Sequence, residues 1–221
     1  ISVTVEARDG DGVWRRYAPF VIRVSEDEID PYMVYRLIEP GYETWGEMGI
    51  YQRCLETFRE EPVIETSSAG YGCVNCHTFR SQDPDMMLFH MRQTHAGTML
   101  LREGRIERLN TATDSTISST VYPSWHPSGR YIAFSVNATK LITLPDESNR
   151  VEVFDSASDV VVYDTERHEL YSVPELMRGD RFEPFPSFSP AGDKLYFCTA
   201  DSVEMPARYK EARYSLCSIG F

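Results

Sequence analysis

Residues 122–135 (YPSWHPSGRYIAFS) and 185–198 (FPSFSPAGDKLYFC) are two copies of one pattern, and no other feature of the chain limits its fold so tightly. Eight aligned positions match in type, among them both prolines, the serine after the first proline and the glycine. The order of residue types reads as a strand ending on an aromatic, a Pro-x-Gly turn, and a second strand whose apolar side chains alternate inward. Between the copies, residues 158–164 and 168–173 read as a further hairpin, which completes a four-stranded unit. Antiparallel units of this kind, repeated along a chain, are propeller blades, and a single blade cannot bury its faces without neighbours.

Residues 98–109 predict another hairpin, closing at Arg102-Glu103-Gly104. It reads as the outer half of a preceding blade. The inner half is expected from the far end of a longer polypeptide, of which this chain is read as a piece. Residues 137–150 read as a loop inserted at the propeller rim.

The Pro-x-aromatic-Ser-Pro-x-Gly pattern followed by an apolar strand resembles the blades of TolB-like β-propellers, with His126 standing where the usual serine is kept as Ser189. The resemblance covers roughly residues 97–221. Together with an upstream Cys-x-x-Cys-His, the chain is similar to a group of bacterial envelope proteins that join an immunoglobulin-like module, a haem-motif segment and a TolB-like propeller. That resemblance implies export to the periplasm or cell surface, and no particular reaction.

Cys73-Val74-Asn75-Cys76-His77 has the spacing of covalent haem c attachment. Two thiols three positions apart each form a thioether to a haem vinyl group, and the adjacent imidazole coordinates the iron. Cys73, Cys76 and His77 are therefore the expected haem-binding residues, with His90 as the second axial ligand of the iron. Met86, Met87, Met91 and Met99 are nearby thioethers, but methionines in an apolar run are expected to be core. The same cysteines also open a zinc spacing, Cys73-x2-Cys76 followed by His90-x4-His95, in which His77 is a bystander. His126 reads as a turn residue and His168 as a solvent-exposed one.

Upstream of Gly97 the pattern reads as partly helical. Residues 47–58 space Ile50, Cys54, Leu55 and Phe58 at helical intervals after a Pro40-Gly41 break, and Asp83-Pro84 reads as the cap and first residue of a helix running to about His95. Residues 1–24 predict a β hairpin around Asp9-Gly10-Asp11-Gly12, resembling a remnant of an immunoglobulin-like sandwich. The fold expected is thus mainly β: a sandwich-like remnant (1–24), a linker and partly helical haem-motif segment (25–96), and an incomplete TolB-like propeller (97–221).

With 22 basic against 34 acidic residues the chain carries a net charge of −12, which repels nucleic-acid phosphates and anionic membranes. No apolar run is long enough to span a bilayer. Of five cysteines, Cys198 and Cys217 are the pair whose spacing suggests a disulfide in an oxidising compartment. Asp9, Asp11, Glu26, Asp27 and Glu28 lack the ligand spacing of a calcium loop. No Ser-His-Asp set, phosphate loop or catalytic carboxylate pair is legible, so no enzyme is indicated. The function expected is a haem-binding envelope protein in electron transfer, or in sensing a redox state or haem ligand, with the propeller docking a protein partner. The alternative is a non-redox binding scaffold with structural zinc or no metal.

Overall fold

The computed structural model describes residues 1–38, 48–144 and 150–221 of the chain. It is built from antiparallel sheets stacked face to face, and among the described residues the helical elements are single 3-10 turns. The N-terminal ribbon pairs β1 (Ser2–Val3) with β4 (Phe20–Val21) and β2 (Glu6–Arg8) with β3 (Trp14–Arg16). Its turn is as expected, with the Gly12 N–H on the Asp9 carbonyl at 3.0 Å and Gly12 at φ +83. The ribbon buries no residue of its own, so it forms no sandwich core among residues 1–24.

β5 (Tyr32–Leu37), β6 (Gly49–Cys54) and β7 (Glu60–Glu65) form a three-stranded sheet. Four strands follow as the first complete blade: β8 (Val74–Phe79), β9 (Met86–Met91), β10 (Gly97–Arg102) and β11 (Arg105–Leu109). The second blade comprises β12 (Thr120–Trp125), β13 (Tyr131–Leu144), β14 (Arg150–Asp164) and β15 (Glu169–Tyr171). The short β16 (Arg181–Phe182) pairs with β14 in parallel and with β18 antiparallel, and so bridges the second blade to a third unit of β17 (Ser187–Phe188), β18 (Lys194–Asp201) and β19 (Ser215–Gly220).

Three cores lie between successive sheets. Ile50, Val74, Met87, Phe89 and Met91 fill the space between the β5–β7 sheet and the first blade. Leu88, Leu100 and Leu109 meet Ile132, Phe134 and Val136 between the first and second blades. Ala133, Val160 and Val162 meet Phe188, Leu195 and Phe197 between the second blade and the third sheet. The first strand of each unit runs beside the next, β8 against β12 and β12 against β17. Successive sheets that stack on both faces with their inner strands side by side are the arrangement of a propeller.

Several expectations are corrected. The helix expected over residues 83–95 is β9, whose Met87, Phe89 and Met91 face one core and Leu88 the other. A strand buried on both faces reads as an unbroken apolar run, which periodicity does not separate from a helix. Asp83 does use its carboxylate on a backbone N–H, that of Asp85 at 3.0 Å, but in a turn rather than a helix cap. The helix expected over residues 47–58 is β6, held on both edges by β5 and β7; Pro40, Gly41 and Glu47 lie outside the described residues.

The inner half of the first blade is not supplied from elsewhere: β8 and β9 are that half. A boundary at residue 96 consequently falls inside the β9–β10 hairpin, which pairs Gly97 with Met91 and Arg102 with Met86. The expected rim loop is an extension of the β13–β14 hairpin, paired from Thr139 opposite Asp155 to Leu144 opposite Arg150. The hairpin at β10–β11 matches expectation, with Glu103 and Gly104 both at positive φ (50° and 73°), the conformation of a tight two-residue hairpin turn. Among the described residues no helix is long and apolar enough to cross a membrane.

Candidate functional site

The Cys-x-x-Cys-His segment is a third copy of the repeat. In β12, Tyr122 and Pro123 bulge opposite the single residue Phe134, because the register passes from Val121↔Ser135 to Ser124↔Ala133. In β8, Cys76 and His77 bulge opposite Phe89 in the same way, between Asn75↔His90 and Thr78↔Leu88. In the third sheet Ser187 pairs with Tyr196 and Cys198 N–H bonds the Pro184 carbonyl at 2.9 Å, which leaves Phe185 and Pro186 opposite Phe197. The first bulge residue is left-handed in every copy: Cys76 at φ 52, Tyr122 at φ 50 and Phe185 at φ 61.

That register sets the chemistry of the cysteine segment. Cys73 is 5% exposed, burial pushes its thiol up, and its carbonyl accepts the Arg92 N–H at 2.9 Å. The Cys76 N–H donates to Asn75 Oδ1 at 2.7 Å. His77 is half-buried against β5; burial depresses its pKa, opposed by a hydrogen bond to the Val34 backbone. His90 leaves the opposite face of the same sheet, toward β12. The two imidazoles therefore leave opposite faces of the sheet as folded. A c-type haem on this strand would need Cys73 to leave its buried position and His77 to give up Val34, so the residues as folded do not fit that group.

The zinc set is not assembled either. Among the described residues no three His, Cys, Asp or Glu side chains gather to hold a metal ion. His90 faces the second blade while His95 is exposed in a 3-10 turn beside Gly70. Met87, Met91 and Met99 are core, as expected of an apolar run.

His90 is instead the end of a buried polar network. Its Nδ1 lies 3.0 Å from Thr98 Oγ1, which contacts Thr111 Oγ1 at 3.1 Å and Thr120 Oγ1 at 2.9 Å; Thr111 and Thr120 close the triangle at 2.7 Å. The network ties the first blade to the inner strand of the second. Ser135 occupies the same repeat position as His90 and performs the same task one blade on, accepting the Phe185 N–H at 2.8 Å. Burial, with Arg92 nearby, lowers the His90 pKa to about 4, so the ring is neutral at physiological pH.

At the bulges the inner strands present aromatic rings outward. Tyr122 and Phe185 are 44% and 48% exposed and touch at 4.8 Å between ring centroids. Burial and the Asp155 carboxylate push the Tyr122 hydroxyl up, and Cys76 and Arg92 are within electrostatic reach of it. Cys76, Arg92 and the half-buried Asp155, which accepts from Asn137 Nδ2, thus lie near the Tyr122 hydroxyl, beside the Tyr122–Phe185 ring contact. The repeat named Tyr122 and Phe185 as equivalent positions, but their contact depends on the stacking of blades and has no local signature.

The remaining histidines are structural. His126 bridges Ser128 and the Gly192 carbonyl, and His168 Nδ1 lies 3.1 Å from the Tyr163 hydroxyl with its side chain 54% exposed. Cys198 and Cys217 do not face each other: Cys217 pairs with Phe197 and Cys198 with Leu216, so the two thiols leave opposite faces of β18–β19.

No protein-family model matches this chain, and no curated protein does. Among solved structures it is similar to TolB from Acinetobacter baumannii, at 17% identity and a TM-score of 0.48 over 98% of this chain and 46% of that one. It is also similar to a putative TolB from Agrobacterium tumefaciens, at 14% identity and a TM-score of 0.48 over 85% of this chain and 58% of that one. The chain spans about half the length of these two structures.

Proposed function

We propose that this chain supplies blades to a TolB-like propeller of the cell envelope that docks a protein partner, and that the docking surface is the end of the inner strands where Tyr122 and Phe185 stack. The observation that carries this reading is the pair itself. Two large rings at the same bulge position of successive inner strands are nearly half exposed and pack on each other rather than into a core. Exposed aromatics on a rigid sheet are the residues that protein interfaces bury at their centres. Arg92 and Asp155 supply a polar border, and the net charge of −12 favours a partner with basic groups over a nucleic acid. Export to the periplasm or surface belongs to the same proposal and rests on the resemblance of the repeats.

Covalent haem on Cys73 and Cys76 with the iron on His77, and with it electron transfer or redox sensing, is a second reading. The Cys-x-x-Cys-His spacing favours it, and the packing of Cys73 and His77 weighs against it.

The docking surface is tested by placing a photo-crosslinking benzoylphenylalanine at position 122, 185 or 106 of the full-length protein in its native envelope. Ile106 is 65% exposed on the outer strand β11 and serves as the control. The expected result is one discrete adduct from positions 122 and 185 that is absent from position 106. No adduct, or the same adducts from all three positions, contradicts the reading.

A further inference from the structure

Asp159 and Glu183 are buried carboxylates that stand side by side where the second blade meets the third unit. β14 and β16 run parallel with Ser158 opposite Phe182, so the next residue of each, Asp159 and Glu183, falls on one face of the pair. The Glu183 N–H donates to the Ser158 carbonyl at 2.9 Å, which carries the pairing through to Glu183. Asp159 is 8% exposed and Glu183 1%.

Nothing cationic answers these two groups. Asp159 makes no hydrogen bond or ion pair among the described residues, and neither does Glu183 Oε1. Glu183 Oε2 accepts a single N–H, that of Arg178, at 3.3 Å. The guanidinium groups nearby are engaged elsewhere: Arg178 on Asp180 at 3.0 and 2.9 Å, and Arg181 on Thr199 Oγ1 at 2.9 Å and on Asp201 at 2.7 Å. Burial pushes both carboxyls up, and the neighbouring Asp159 charge pushes Glu183 further. Buried carboxylates are otherwise paired with a cationic group or held on a metal ion.

We propose that Asp159 and Glu183 bind a calcium ion, which ties the second blade to the strand leading into the third unit. Carboxylate oxygens are ligands of hard cations, and two of them cancel one divalent charge. Calcium accepts irregular sets of carboxylate and water oxygens, whereas magnesium needs a near-ideal octahedron. Two protein ligands leave the other positions to water, which sets the affinity at about millimolar. The slight exposure of Asp159 is the side from which the ion and its waters enter.

The test is thermal unfolding of chelator-treated full-length protein at neutral pH, with about 10 mM calcium or magnesium, or with sodium chloride at the same ionic strength. Calcium is expected to raise the midpoint by about 2 °C or more over sodium, and magnesium by less than half as much. Asp159→Asn and Glu183→Gln keep the shape of each side chain and remove one charge. Each is expected to abolish the calcium shift and yet to melt no lower than the chelated parent, because it relieves the repulsion within the pair. If Glu183→Gln does not fold, Asp159→Asn at the more open end decides alone. No calcium shift in the parent overturns the proposal, as does an equal shift with magnesium or a full shift retained in a variant. A folded variant that melts well below the chelated parent overturns it too, since the carboxylates would then be satisfied without an ion.

Discussion

His126 Nε2 lies 3.1 Å from the Gly192 carbonyl and donates to it, tying the turn of one blade to the turn of the next. The donor is assigned by the other nitrogen, since Nδ1 accepts the Ser128 N–H at 3.1 Å. Arg80, at the same repeat position one blade earlier, reaches the Pro127 carbonyl at 3.3 Å. The glycines of these turns are required twice over: Gly192 sits at φ +80, and a Cβ there would fall 2.3 Å from His126 Nε2. Gly192→Ala is expected to cost about 2 kcal/mol or more, through backbone strain and displacement of the imidazole. His126→Ala is expected to cost about 1 kcal/mol for the lost hydrogen bond. In denaturant titrations the double variant should lose less than the sum, because removing the ring relieves the clash but not the strained φ. Strict additivity would show that the two residues do not interact.

His90 gives the fold a pH dependence of known sign. Its pKa falls from 6.5 to about 4 on folding, so between those values the unfolded chain binds the extra proton. Stability is therefore full above pH 6.5 and declines as pH drops toward 4, by roughly 3 kcal/mol from this group. His90→Ser should flatten the curve between pH 6.5 and 4. A variant that keeps the parent slope would place the titrating group elsewhere.

Asp164 acts in the same sense at lower pH. Its Oδ2 accepts Arg130 Nε at 3.0 Å and Nη2 at 2.6 Å, and its Oδ1 accepts the N–H groups of Glu166 and Arg167 at 2.9 and 3.1 Å. The Arg130 bond and then these backbone donors outweigh its burial and hold the carboxyl at about 2, below its ordinary 3.8. The contribution is present above pH 3.8 and is lost as pH falls through about 2. Asp164→Asn should be less stable than the parent at neutral pH, with the gap narrowing below pH 4. A gap that is constant from pH 6 to pH 2 would contradict this assignment.

Cys198 and Cys217 leave opposite faces of one hairpin, so they should remain unlinked in oxidising medium. Peptide mapping under non-reducing conditions checks this, and a crosslinked peptide containing both would contradict the register of β18 and β19.

What was legible in the sequence was the part that repeats locally. Pro127 with Gly129 and Pro190 with Gly192 mark turns whose chemistry needs those residues, and Glu103-Gly104 marks a hairpin. The first copy was hidden because His77 stands where the later copies have proline, and because residues 80–85 lack their Pro-x-Gly turn. Thr78-Phe79, matching Ser124-Trp125 and Ser187-Phe188, was the surviving signal. Met86 to Met91 is apolar on both faces because cores lie on both sides, a fact of tertiary packing that periodicity does not carry. The same limit applied to the site. Spacing placed His77 and His90 near each other along the chain, while the face each side chain takes was set by the bulge at Cys76.

The central claim is that residues 73–77 are an inner blade strand of a docking propeller. Its most direct test is the visible spectrum, oxidised and dithionite-reduced, of denatured full-length protein produced in a periplasm with cytochrome c maturation machinery. Denaturation leaves only thioether-linked haem on the chain. The account predicts no haem bands, because Cys73 is buried and His77 and His90 face apart. A haem spectrum that persists with the polypeptide would contradict it and establish the strand as a c-type attachment site.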